Sequence, residues 1–201
     1  MSKNKSKRKK QKHNRSIQYI ETKRTGGQNA LRGYSYQLLY SCLVILNAAE
    51  KESFRLEGVE DIDVVDSTTT HIQIKYSRSI KDASFLDAIL KNFVEVYLID
   101  TSRQFKLVYD FPVKDGNLKH LIQKNPTPNS TTFWKNKIEI IKRDNPYWNW
   151  DLFEYERFFS QLSFEYVSKD CLETQLESSL INSFGITTDN LELYSNALKF
   201  L

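Results

Sequence analysis

Apolar and polar residues recur along the chain with two different periods, and each change of period marks an expected element. From Leu31 to Leu46 the apolar side chains follow helical spacing, which predicts a first helix with one buried face. Three short segments then alternate apolar and polar residues, as the strands of an antiparallel meander do. These three predicted strands are SFRLEG, DIDVV and HIQIKYS.

The helical period returns at Phe85–Asp100, where Phe85, Ile89 and Phe93 fall on one face of a second predicted helix. The segment QFKLVYDF then alternates again and predicts a fourth strand. The expected order of elements is therefore α-β-β-β-α-β. This order predicts a mixed α/β (α+β) fold.

The chain changes character near Gly116, after which a loop rich in Pro, Asn and Thr leads into segments of helical periodicity. We expect three parts: a disordered basic tail at 1–24, a folded core at 25–115, and a mainly helical extension at 116–201. The final segment NLELYSNALKFL is apolar, so we expect this extension to pack on the core or on a partner. The expected helical segments are WKNKIEIIKR, WNWDLFEYERFFSQLSFEYV and CLETQLESSLINSF.

The net charge of +4 conceals two regions of opposite sign. Residues 1–24 contain ten Lys or Arg and one acid, a charge of +9, and the remainder contains 19 Lys or Arg and 24 acids, a charge of −5. The tail serves either as a solubilising segment or as an arm that attracts DNA phosphates. The two distant cysteines indicate a reducing cytosol. No apolar run approaches the ~20 residues that span a bilayer.

The stretch EGVEDIDVVDSTTTHIQIKYS, residues 57–77, contains the candidate chemistry. Side chains two apart on a strand share a face, so Gln73 projects with Lys75. By the same rule Asp61 projects with Asp63, and pairing of the two strands brings an aspartate beside Gln73 and Lys75. Such oxygen ligands hold Mg²⁺, and a neighbouring lysine can orient or deprotonate a water and offset charge on a phosphate. The alternative is a hairpin whose charges are simply solvated.

Three motifs occur in order in this chain: G-Y-x-Y-Q, E-x-x-E-D-I and Q-x-K, within GGQNALRGYSYQLLYSCLVIL, FRLEGVEDIDVVD and HIQIKYS. Together they resemble the PD-(D/E)xK double-stranded DNA endonuclease domain of bacterial anti-phage effectors. Members of this family include the CD-NTase-associated endonuclease of CBASS systems and the nuclease domains of Lamassu complexes. The resemblance covers about residues 25–110. It implies a restriction-endonuclease-like core with a mixed central sheet, followed by a helical C-terminal extension.

The resemblance assigns the catalytic site residue by residue. Asp61 matches the metal-binding aspartate, Gln73 replaces the more common glutamate of the third strand, and Lys75 matches the catalytic lysine. The main-chain carbonyl of Ile74 is the expected additional metal ligand. Asp63 competes with Asp61 for the metal because the two side chains share a strand face.

Further residues are expected around this centre. Glu57 is a candidate for supporting the site or binding a second metal, and Gln37 either reaches the site from the first helix or packs against it. We expect Glu60 to be a solvated charge and His71 to lie at the surface. Candidate contacts with DNA phosphates follow the third strand, at Arg78, Lys81 and Lys91.

The resemblance implies a Mg²⁺-dependent endodeoxyribonuclease, with Mn²⁺ as a substitute ion, that cuts double-stranded DNA with little sequence preference in the bacterial cytoplasm. In this family such domains act when a sensor oligomerises them. We therefore expect an effector domain or a subunit that works with a sensor partner, without membrane contact. The alternative is a non-catalytic DNA-binding or assembly subunit that retains the nuclease fold, because Gln73 supplies one negative charge fewer than glutamate.

Overall fold

The computed structural model describes residues 27–58, 60–113 and 118–185. The basic tail predicted at 1–24 and the apolar segment NLELYSNALKFL lie outside the described residues. None of the helices within the described ranges is long and apolar enough to cross a membrane.

The elements of the first half follow the predicted order. Helix α1 spans residues 27–46. The elements that follow it are β1 (Ser53–Leu56), β2 (Ile62–Val65), β3 (Thr69–Tyr76), a 3₁₀ turn (Ala83–Leu86), α2 (Asp87–Ile99) and β4 (Gln104–Asp110). The predicted α-β-β-β-α-β order is therefore confirmed.

The second half contains four helices and one further strand within the described residues. These elements are α3 (Leu118–Leu121), α4 (Pro128–Asp144), a 3₁₀ turn (Trp150–Leu152), α5 (Tyr155–Gln161), β5 (Leu162–Tyr166) and α6 (Lys169–Phe184). Thr127 and Ser130 form a reciprocal capping box at the start of α4, and Ser168 caps α6 by accepting a hydrogen bond from the Cys171 backbone N–H.

The strands form one five-stranded sheet in the order β1-β2-β3-β4-β5. Strands β1, β2 and β3 pair antiparallel, whereas β4 lies parallel to β3 and β5 lies parallel to β4. The antiparallel pairs need only tight turns, and the long connections through α2 and α3–α5 supply the crossovers that parallel neighbours require. The mixed sheet confirms the predicted α+β fold class.

Helices cover both faces of the sheet, because each face has its own apolar side chains. On one face, Phe105 and Leu107 of β4 pack with α2, α4 and α5 around Phe93 and Trp134. On the other face, the side chains of β2, β3 and β4 pack under α1 and α6; they include Ile62, Ile72, Ile74 and Val108. Strand alternation therefore assigns odd-numbered and even-numbered positions of β3 to different layers.

Strand β5 corrects one prediction. Residues Leu162–Tyr166 form a strand, so the helix predicted over this part of WNWDLFEYERFFSQLSFEYV is wrong. Leu162 and Phe164 are buried at alternating positions, and Phe164 lies opposite Leu107 in the parallel register with β4. A short apolar stretch is compatible with a buried helix or a buried strand. Here it forms a strand because it pairs with the otherwise open edge of β4.

Candidate active site

The register of β2 and β3 brings Asp61 beside Gln73. Ile62 lies opposite Ile72 in this antiparallel pair, which places the residue before Ile62 next to the residue after Ile72. The side-chain amide of Gln73 donates a hydrogen bond to Asp61 Oδ2, and the backbone N–H of Ile74 donates to the same oxygen at 2.6 Å. The two residues that the sequence places on neighbouring strands are thus in direct contact.

Lys75 and Glu60 belong to the same cluster as Asp61. Lys75 is half-buried near the carboxyl end of β3 and shares a strand face with Gln73. The pKa of Glu60 is raised to about 7, chiefly by burial and then by the neighbouring Asp61 carboxylate, while the Lys75 ammonium partly opposes the rise. Glu60 therefore lies close enough to interact with both residues.

The burial of Glu60 overturns the expectation of a solvated charge. The side chain is only 7% exposed, and its Oε1 has no hydrogen-bond partner among the described residues. A carboxylate oxygen in this state is costly unless a cation or a proton compensates it. Its position next to Asp61 in the E-D-I motif was the one available signal, because periodicity does not reveal which loop residues become covered.

Asp63 is committed to a different partner. Its Oδ1 lies 2.7 Å from Nδ1 of His71, directly opposite on β3, and the two residues are 1% and 3% exposed. His71 also stacks on Phe105, with ring centroids 5.8 Å apart. The expectation of a surface histidine is therefore wrong, because the α2 layer covers this face of the sheet.

The turn between β1 and β2 packs closely against the Asp63 carboxylate at Gly58. A β-carbon at Gly58 would overlap Asp63 Oδ2 and would also touch Arg55, so this position requires glycine. The same turn is closed by a hydrogen bond from the Glu57 backbone N–H to the Asp61 carbonyl at 3.2 Å. Glu57 adopts a left-handed backbone conformation with φ of 51°. The turn that carries Glu60 and Asp61 is thus held from both ends.

Gln37 and Glu57 meet at the edge of this cluster. The Gln37 amide donates to Glu57 Oε1 at 3.0 Å, which ties α1 to the turn. The Glu57 side chain is exposed, and its described contact is with Gln37 rather than with Gln73 or Lys75. This arrangement suits a supporting role for both residues.

The three predicted DNA-contacting cations do not lie together. Arg78 and Lys81 line one cavity of about 470 Å³ just beyond the end of β3. Lys91 lies on α2, with its ammonium 5.9 Å from the ring centroid of Trp148. Lys91 therefore belongs to a different part of the surface.

The donor set at β2 and β3 can be tested against Mg²⁺. Within the described ranges, no group of three or more His, Cys, Asp and Glu side chains is arranged to hold a metal. Mg²⁺, however, accepts amide and carbonyl oxygens and retains several waters. The available oxygens are the carboxylates of Glu60 and Asp61, the Gln73 amide oxygen and the Ile74 carbonyl. Two neighbouring carboxylates, one with an unpartnered buried oxygen, fit a hard cation once the Gln73 amide presents its oxygen.

Comparison with known proteins gives only distant similarity. No protein-family model and no curated protein match the chain. The Cap4 SAVED/CARF-domain containing receptor of Moraxella osloensis is structurally similar, with a TM-score of 0.49, 14% identity, and coverage of 84% of this chain and 42% of the receptor. The Cap4 SAVED/CARF-domain containing receptor of Acinetobacter baumannii with the cyclic trinucleotide 2'3'3'-cAAA has a TM-score of 0.48, 12% identity, and coverage of 83% and 38%.

The chain spans about two fifths of the length of these receptors.

Proposed function

We propose that the chain is a Mg²⁺-dependent endonuclease that hydrolyses phosphodiester bonds of double-stranded DNA. The observation that carries this proposal is the cluster of Glu60, Asp61, Gln73 and Lys75 on and beside two paired strands. Neighbouring oxygen donors and a lysine are the groups that metal-assisted phosphodiester hydrolysis needs. The order of the E-x-x-E-D-I and Q-x-K motifs supports the same chemistry.

Each side chain has a distinct role in this proposal. Asp61 and Glu60 hold the cation, with the Gln73 amide oxygen and the Ile74 carbonyl as neutral ligands. Mg²⁺ bound there supplies polarisation of the phosphate and a more acidic water. The Lys75 ammonium orients the attacking water and offsets negative charge that develops on the phosphate. Gln37 and Glu57 hold the turn that positions Asp61.

The wider role that we propose is that of an effector in anti-phage defence, working with a sensor domain or partner subunit. This part rests on the motif resemblance of residues 25–110. We also propose cutting with little sequence preference, which is what the motif resemblance implies.

A non-catalytic DNA-binding or assembly subunit is the second candidate. One observation favours it: Asp61 Oδ2 already accepts two hydrogen bonds, from Gln73 and from the Ile74 backbone. These bonds satisfy Oδ2 of the carboxylate without a cation, and Gln73 lacks the charge of a glutamate. In that case the cluster would only stabilise the β2–β3 pair.

Plasmid degradation separates the two functions. The intact protein, supplied with its partner or activator, is incubated with supercoiled plasmid and Mg²⁺, and Lys75→Ala and Lys51→Ala are compared with it. Lys51 is an exposed residue before β1 and serves as the charge-matched control. We expect cutting by the wild type and by Lys51→Ala, and none by Lys75→Ala or with a chelator. Absence of cutting by the wild type, or full cutting by Lys75→Ala, would favour the non-catalytic subunit.

A further inference from the structure

A cationic cavity lies directly beyond the proposed catalytic strand. It has a volume of about 470 Å³, and the described residues that line it are Asn29, Tyr76, Ser77, Arg78, Ser79, Lys81 and Phe85. This volume lies within the range of small-ligand sites, which is about 300–1,000 Å³. Tyr76 directly follows Lys75 but lies on the opposite face of the sheet, where its ring centroid is 5.4 Å from that of Tyr36. The cavity therefore lies past the carboxyl end of β3, around the strand end from Lys75.

The described lining of the cavity is cationic. None of the lining residues that the structure describes is acidic, and neither Arg78 nor Lys81 forms an ion pair with the described residues. The nearby Asp82 carboxylate caps the following 3₁₀ turn by accepting from the Ser84 backbone at 3.0 Å. A second cavity, of about 420 Å³, contrasts with this one because its arginines are accompanied by Asp63 and Asp100. Of these two cavities, the first is therefore better suited to an anion.

The walls of the cavity supply hydrogen-bonding and aromatic groups in addition to charge. The Ser77 and Ser79 hydroxyls lie 2.9 Å apart, and Arg78 Nε lies 3.4 Å from the Tyr76 hydroxyl. The Lys81 ammonium lies over the ring of Phe85, 4.9 Å from its centroid, in a cation–π contact. Hydroxyls and cations suit phosphate oxygens, and flat apolar walls suit a sugar or a base.

We propose that this cavity binds the nucleotide adjacent to the scissile phosphate, with the phosphate of that nucleotide on Arg78 and Lys81 and its sugar against Tyr76 and Phe85. This proposal rests on the proposed nuclease function and adds the path that the DNA strand takes across the protein. The DNA strand crosses the carboxyl end of β3, from the Lys75 face of the sheet to the cavity. Lys75 and Tyr76, which are consecutive residues of β3, thus contact consecutive parts of one DNA strand.

Binding of duplex DNA tests the phosphate contacts. The full chain with Lys75→Ala is used as a cleavage-free background, and Arg78→Ala/Lys81→Ala is compared with Lys142→Ala/Arg143→Ala. The control pair is exposed on the last turn of α4 and removes the same charge. We expect the first pair of substitutions to weaken DNA binding at least about tenfold. It should also reduce the slope of the logarithm of the binding constant against the logarithm of the salt concentration by about two. The control pair should have little effect on either quantity. An equal effect of both pairs would overturn the proposal.

Small probes test the adjacency of the two sites. Thymidine 3′,5′-bisphosphate carries two phosphates around one nucleoside, whereas thymidine 5′-monophosphate carries one. We expect calorimetry to show tighter binding of the bisphosphate, dependent both on Mg²⁺ and on Arg78 with Lys81. Equal affinity for the monophosphate would identify a site for free nucleotides and overturn the DNA assignment. If binding of the bisphosphate does not depend on Mg²⁺, the cavity is not adjacent to the proposed metal site.

Two further measurements keep the outcomes distinct. The thermal midpoint of each variant is recorded, and if the double variant loses stability, Arg78→Gln and Lys81→Gln replace it. Plasmid cutting by the wild type decides the nuclease proposal, while the binding assays decide the cavity. If the wild type cuts DNA but Arg78→Ala/Lys81→Ala does not weaken DNA binding, the nuclease proposal stands and only the proposal for the cavity is overturned.

Discussion

Asp63 and His71 face each other across β2 and β3, with Oδ1 of the carboxylate 2.7 Å from Nδ1 of the imidazole. Both side chains are buried, and Gly58 packs against the same carboxylate. Asp63 is thus bonded to the buried His71, whereas Asp61, two residues earlier, accepts from Gln73 and Ile74 and lies beside Glu60, whose Oε1 has no partner among the described residues. This difference makes Asp61 the better candidate for the metal ligand and gives Asp63 a structural role.

The two aspartates are expected to respond differently to substitution. Asp61→Asn should abolish Mg²⁺-dependent plasmid cutting with a small change in stability, because its carboxylate supplies charge to the cation. Asp63→Asn should reduce the free energy of unfolding by about 2–4 kcal/mol, because it disrupts a buried charged hydrogen bond. Urea denaturation and plasmid cutting are measured for both variants. Loss of cutting by Asp63→Asn at unchanged stability would move the ligand to Asp63.

Glu60 should make the stability of the metal-free protein depend on pH. Its pKa is raised from 4.5 to about 7 in the folded state, so between these values the folded state binds more protons than the unfolded state. Stability is therefore lost as the pH rises through this window, and the full cost is present above the folded pKa. Glu60→Gln removes this cost and should be more stable than wild type at about pH 8, by up to about 3 kcal/mol.

Urea denaturation in a chelator at several pH values checks this prediction. The difference in free energy of unfolding between Glu60→Gln and wild type should shrink toward about pH 4, where Glu60 is mostly protonated in both the folded and the unfolded state. Glu50→Gln, at an exposed position after α1, is the matched control. A pH-independent difference would show that Glu60 titrates as an ordinary exposed glutamate.

Mg²⁺ should stabilise the folded chain through Asp61 and Glu60. A cation that binds only the folded state raises the thermal midpoint with its concentration, as linkage requires. We expect this rise for the wild type above neutral pH and a much smaller one for Asp61→Asn and for Glu60→Gln. Differential scanning fluorimetry with and without Mg²⁺ measures it, with Ca²⁺ as a second hard cation. Equal shifts in all three proteins would place the bound ion elsewhere.

Gly58 should tolerate no side chain. The methyl group of Gly58→Ala would overlap the Asp63 carboxylate, so the turn or the Asp63–His71 pair must shift, at a cost of about 1–3 kcal/mol. Gly33→Ala in α1 is the control, because a β-carbon there has no neighbour within 4 Å. That control should be neutral or more stable by up to about 1 kcal/mol, since alanine favours helix. Equal effects of the two substitutions in urea denaturation would contradict this packing.

The first half of the fold could be predicted because its signals are local. The helix predicted over Phe85–Asp100 forms α2 at Asp87–Ile99, and the third predicted strand HIQIKYS lies largely within β3 at Thr69–Tyr76. Strand β5 could not be recognised, because five residues with two buried positions fit a helix or a strand equally well. Its structure depends on the edge of β4, which is distant in the sequence.

Alternation along a strand follows from backbone geometry, so the order of residues is enough to predict which side chains share a strand face. That rule placed Gln73 with Lys75 and Asp61 with Asp63. The burial of Glu60 beside Asp61, and of His71 together with Asp63, emerges only when the chain has folded. Whether a charged side chain meets solvent depends on the element that packs over it, and here that element comes from another part of the chain.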